Sequence, residues 1–144
     1  MASPADFSRN VRRLSERIRP AVGRIVRQGA LAIDQAVVLA TPVDTGRARS
    51  GWVVSLDAPA DSPDKPYAPG DKGSTGAQNA AAALAQGQAV ISRYQSGRNS
   101  SVHISNNVEY IGELNNGTSA QAPAEFVEKA VQAGVAAVRG LKVL

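Results

Sequence analysis

Apolar residues recur near the start of the chain at Phe7, Val11, Leu14, Ile18, Val22 and Ile25, in steps of three and four that place all six on one stripe of a helix. Arg9, Arg12, Arg13, Arg17, Arg19, Arg24 and Arg27 take the other side. Pro20 stands inside this pattern. Without an amide hydrogen it cannot complete the preceding turn, which predicts a kink there or a second helix with Pro20 in its first turn. From Leu31 to Leu39 the pattern changes, because Leu31, Ile33, Val37, Val38 and Leu39 project around the whole circumference. A segment apolar on all sides predicts burial on all sides, either at the centre of the fold or under a neighbouring subunit. Pro42 pushes Thr41 out of helical geometry and ends the run, and Gly46 permits a turn that other residues resist.

The segment GWVVSL, residues 51–56, reads as a strand. Residues 57–76 carry four of the eight prolines and no core residue except Tyr67, which predicts a flexible loop or arm within a single domain spanning 1–144. AQNAAAALAQGQAVISRYQ predicts a helix, with a break near Gly87 and a following strand as the alternative. SSVHISN alternates as a strand, VEYIGEL reads as a short strand or a helical turn, and NNGTSAQAP as a second loop. Pro123 then opens a final helix with Glu125 and Glu128 toward its start and Arg139 and Lys142 toward its end, as the helix dipole favours. Its stripe of Phe126, Ala130, Ala133, Gly134, Ala137 and Leu141 is mostly small, which predicts close packing on another element.

Composition narrows the chemistry. With no cysteine, thiol catalysis, disulfides and thiolate metal sites are excluded together. His103 is the lone histidine and reads as an exposed strand residue, so no metal or cofactor is expected. No apolar run reaches the ~20 residues of a membrane span, and the N-terminus lacks a signal-like stretch, which predicts a soluble chain made in the cytoplasm. The net charge of +4 is uneven: residues 1–50 hold nine Arg against four acids, a net +5, and residues 51–144 hold seven basic against eight acidic side chains, a net −1.

Three stretches invite a chemical reading. Asp44-Thr45-Gly46 spells the tripeptide of aspartic proteases, and YIGEL resembles their apolar-apolar-Gly segment. That chemistry needs a carboxylate on a turn leaving a strand and a symmetry mate to share a proton. Here a helix precedes Asp44, and Arg47 follows where a small residue belongs, so Asp44 or Thr45 reads instead as the cap of the turn GRARS. A dimeric protease using Asp44 remains the alternative from another class. GDKGSTG lacks the Lys-Ser/Thr order of a phosphate loop. The Arg-rich helix is the second alternative, a nucleic-acid-binding module, with Arg9, Arg12, Arg13, Arg17 and Arg24 as candidates for contact with DNA or an acidic partner.

Two motifs read together resemble the neck and tail-completion proteins of tailed bacteriophages, the head–tail joining or tail-component family. The first, Thr-Pro-Val-Asp-Thr-Gly-Arg ending in an aromatic, is matched by Thr41, Pro42, Asp44, Thr45, Gly46, Arg47 and Trp52. The second is matched by Tyr110, Leu114, Gly117, Thr118 and Pro123, with Asn115 where Glu is commonest. The resemblance implies an α+β fold in which a long N-terminal helix and a C-terminal helix pack on a small antiparallel sheet. It further implies no catalytic residue, no cofactor, and a homo-oligomeric ring at the head–tail junction of the virion, with Leu31, Val37 and Val38 as candidates for the subunit interface. The implied neighbours are portal or adaptor and tail proteins, with non-specific contact to packaged DNA and no membrane. A tail terminator capping the tube is the alternative within that class.

Overall fold

The computed structural model describes residues 3–42, 47–61, 67–70, 73–117 and 124–143. The elements are α1 (Pro4–Ala40), α2 (Arg47–Ser50), β1 (Trp52–Leu56), α3 (Gly76–Ile91), β2 (Val102–Asn106), α4 (Ile111–Asn115) and α5 (Phe126–Val138), an α+β arrangement. α1 opens on a reciprocal cap. The Ser3 hydroxyl accepts from the Asp6 amide at 3.1 Å while the Asp6 carboxylate accepts from the Ser3 amide at 3.1 Å, and Pro4 fills the first turn, where no amide donor is needed.

The helix continues through Pro20 instead of restarting there. Pro20 and Glu16 are both exposed, so the carbonyl that the proline leaves without a partner sits on a turn open to water, where the loss is smallest. At 37 residues α1 is about 55 Å long. The buried residues of α1 are Ala21, Gly23, Ala30, Asp34, Val37 and Val38, none of them earlier than Ala21. The first part of the apolar stripe therefore emerges from the body, with Phe7 68%, Val11 49% and Leu14 43% exposed.

α5 runs back along the second half of α1, and glycines set the closeness of the contact. A Cβ on Gly134 would land in the Ile33 side chain and 3.0 Å from the Gly29 carbonyl, and one on Gly29 would meet Val138 at 3.3 Å. Small residues in the α5 stripe thus permit the close approach that the sequence predicted. Phe126, at the start of α5, joins Val37, Val38, Trp52, Ala80, Ala83 and Ala130 in the main core, and a second cluster forms from Ala30, Val54 and Ile91.

The sheet has two antiparallel strands, in register from Trp52 opposite Asn106 to Leu56 opposite Val102. α3 covers the other edge of β1. The Gln86 side-chain amide donates to the Val54 carbonyl at 2.9 Å and accepts from the Val54 amide at 3.0 Å, taking the place of a third strand at that residue. Gly87 lets α3 come close to both α1 and β1, since a Cβ there would fall on the Asp34 carboxylate and lie 3.1 Å from the Val54 side chain. The helix is unbroken at Gly87, and VEYIGEL supplies the turn α4 and no strand.

Of the expected loop 57–76, residues 62–66 and 71–72 lie outside the described residues. The described part is tied down. Asn79, buried at the start of α3, accepts from the Ala68 amide and donates to the Ala68 carbonyl, both at 2.9 Å.

Candidate functional site

The two sequence motifs meet at the end of the molecule where α1 stops. The Thr41 hydroxyl donates to the Val37 carbonyl at 2.6 Å and accepts from the Trp52 indole at 2.7 Å, so the last turn of α1 and the first residue of β1 share one buried oxygen. Thr41 and Pro42 are buried beside it. α2 carries Arg47 out of this joint to Glu109, where both guanidinium nitrogens donate to both carboxylate oxygens at 2.7 Å. The same guanidinium stands 5.6 Å above the Tyr110 ring, within range of a cation–π attraction. These hydrogen bonds hold the Glu109 carboxyl below its ordinary value. The Asn106 side chain completes the bridge by donating to the Ala48 carbonyl at 2.8 Å.

Beyond Tyr110, α4 places Leu114 against the main core and Asn115 at the start of α5. The Asn115 side-chain oxygen accepts from the Val127 amide at 2.9 Å, and its nitrogen donates to both Glu128 oxygens at 3.1 Å. An amide can do both, because it carries a donor and an acceptor. A Glu at this position could accept from Val127, but it would repel Glu128. Asn115 thus comes with its own local partner. Gly117, at φ 93°, turns the chain after α4. Asp44, Thr45, Gly46, Thr118 and Pro123 lie outside the described residues.

Arg49 is a member of this site that sequence reasoning did not single out. It donates to the Leu39 and Thr41 carbonyls, both at 3.1 Å, and so closes the C-terminal end of α1. Burial pushes its guanidinium below the usual value. Its position two residues after Arg47 was visible, but nothing local distinguishes a buried cap from a solvated arginine.

The other candidate residues sit elsewhere. Val37 and Val38 are 1% and 0% exposed within this one chain, so the centre of the fold, and no neighbouring subunit, accounts for their burial. Leu31 is half-buried against the second cluster. Leu39 is 57% exposed, so the segment is not buried on all sides. Arg9, Arg12, Arg13 and Arg17 are exposed along the emergent part of α1, where Arg9 pairs with Asp6, and Arg24 is exposed on its covered part. Arg17 and Arg24 face Lys142 across an open groove. His103 is half-buried, its Nε2 2.7 Å from the Ser101 hydroxyl. Among the described residues no helix is long and apolar enough to cross a membrane.

The comparisons fit this geometry. The family model described as "Bacteriophage HK97-gp10, putative tail-component" matches residues 5–117, which takes in α1, the joint at Thr41–Trp52 and the turn through Tyr110 to Gly117. Comparison with curated proteins and with solved structures gave no match. The match covers well over half of the chain, and the chain belongs to this phage tail-component family.

Proposed function

We propose that this member of the tail-component family is a structural virion protein, forming a ring at the phage neck that completes the tail and joins it to the DNA-filled head. The observation that carries the reading is the division of α1. One half is locked into a body whose two motifs are bound together by Arg47, Glu109 and Tyr110, and the other half leaves that body with apolar and arginine side chains exposed. Such a subunit presents a firm body and a surface that wants a neighbour. Portal or adaptor and tail proteins are the neighbours this position supplies. The arginine face then meets packaged DNA or an acidic ring, each phosphate contact adding to the salt dependence of binding.

A phage lacking the protein is expected to make DNA-filled heads and tails of normal length that fail to join, visible in micrographs of the lysate. Tails of uncontrolled length would assign the protein to the tail terminus instead. Normal infectious particles would exclude both placements. Catalysis by Asp44 is tested separately: Asp44→Asn is expected to leave the protein folded with no activity lost. Pepstatin-sensitive peptide cleavage at acid pH, absent from that variant, would overturn the structural reading.

A further inference from the structure

The geometry points to a docking site on α5 for the emergent half of α1 from a second copy of this chain. It deepens the self-assembly contained in the proposed function and rests on that part of it.

The donor surface is the α1 stripe. Phe7, Val11 and Leu14 are strongly exposed and Ile18 is half-exposed, in 4-3-4 spacing along one face. A row of large apolar side chains left in water costs free energy until another apolar surface covers it. The helix cannot turn back to cover the stripe with its own body, because α1 is continuous from Pro4 to Ala40 and holds no break to serve as a hinge. The cover must come from another chain.

The acceptor surface is the outer face of α5. Val131 and Val135 are 45% and 49% exposed, and Val138 is half-buried at the rim of an apolar groove between α1, α5 and β2. Their 4-3 spacing matches Ile18, Leu14 and Val11 read in reverse. In that antiparallel register Ile18 meets Val131, Leu14 meets Val135 and Val11 meets Val138, leaving Phe7 beside Leu141, itself 37% exposed. The same spacing also fits a parallel register, and charge decides between them. Antiparallel, Arg17 lies toward Glu128 and Asp6 toward Arg139 and Lys142; parallel, Arg17 would lie on Lys142. The antiparallel pairing also repeats how α5 already lies on the second half of α1, so the stripe of Phe126, Ala130 and Gly134 binds its own chain and the adjoining stripe takes a neighbour's, with Val138 at the boundary between them.

The absence of cysteine makes a direct test available. Two preparations of the full chain, Leu14→Cys and Val135→Cys, are mixed under mild oxidation. Both positions are exposed, so neither substitution disturbs the core. The mixture is expected to give a cross-linked dimer in large excess over either preparation alone, whereas Phe7→Cys mixed with Val131→Cys gives none. Adding Arg17→Glu to the first chain should cut the yield several-fold, and adding Glu128→Arg to the second should restore it. The reverse cross-linking pattern, cross-linking of Leu14→Cys to itself, or a chain that sediments as a monomer at the highest concentration reached would each overturn the proposal. So would an arm that stays monomeric and binds duplex DNA with steep salt dependence. The experiment uses purified chain and no virions, so its failure leaves the placement at the neck to the lysate micrographs.

Discussion

Both halves of α1 are rich in apolar residues, yet α5, α3 and the sheet close over Ala21 to Ala40, while the stripe from Phe7 to Leu14 stays in water. The difference lies outside the helix. α5 has 13 residues, about 20 Å, against the 55 Å of α1, so a single helical partner covers less than half of the stripe. Periodicity says that a face needs a partner. Which chain supplies that partner depends on lengths and glycine contacts far along the sequence.

Phenylalanines at the two ends of this contrast give the largest expected effect. Phe126→Ala, in the core at 2% exposure, should cost about 3–5 kcal/mol in denaturant unfolding. Phe7→Ala, at 68% exposure, should fall within about 0.5 kcal/mol of the parent when the protein is dilute and monomeric. A large loss for Phe7→Ala under those conditions would mean that the arm already has a partner in the isolated chain.

The covered half owes its closeness to a glycine. Gly134→Ala should destabilise by about 1–3 kcal/mol, because its methyl group displaces Ile33 and presses on the Gly29 carbonyl, measured as a fall in the unfolding midpoint. Gly112→Ala, where a Cβ meets nothing within 4 Å, is the control and should leave the midpoint almost unchanged. Where α1 ends, Thr41→Val keeps the shape of the side chain but leaves the buried Trp52 indole without its acceptor, an expected loss of about 1–3 kcal/mol.

The smallest effect is on pH dependence, and it appears at both ends of α1. The Glu109 carboxyl is held low chiefly by hydrogen bonding to Arg47, and Asp6 chiefly by the backbone hydrogen bond to Ser3. A carboxyl lowered in the folded state stabilises it fully above its unfolded value, and the contribution is lost as pH falls through the folded value. Glu109 is exposed and Asp6 partly so, and the change is modest. Protection of amides against exchange, taken relative to the intrinsic rate at each pH, should fall below the ordinary carboxylate range at the start of α1 and around Glu109, and hold steady at Val37 and Val38. Glu109→Gln should remove the response at the second place only.

Much of this architecture could be read from residues whose message is local. Pro42 ends α1, and GWVVSL and SSVHISN mark both strands. Pro20 misled because the cost of a proline depends on whether the carbonyl behind it is wet, which sequence does not state. Val37 and Val38 left cis and trans burial open, since an apolar face is the same in both. The joint between the motifs was legible as two separate segments. Its chemistry was not, because Arg47 and Glu109 become partners only when β1 and β2 pair across some fifty intervening residues. Arg49 and Asn115 were equally silent, as each acts on backbone groups that the fold brings within reach.

The pairing of α1 with α5 has a consequence for how subunits are made. α1 has left the ribosome long before Phe126 is translated, so a nascent chain carries the apolar stripe while the helix that lies along its second half does not yet exist. During synthesis the exposed surface is longest and the folded body absent, which is when a holding chaperone has most to bind. Once α5 closes on Gly29 and Ile33, the exposed length contracts to the first few turns. Chains cut short before residue 126 never reach that state, and should be removed by proteolysis before they can compete with finished subunits.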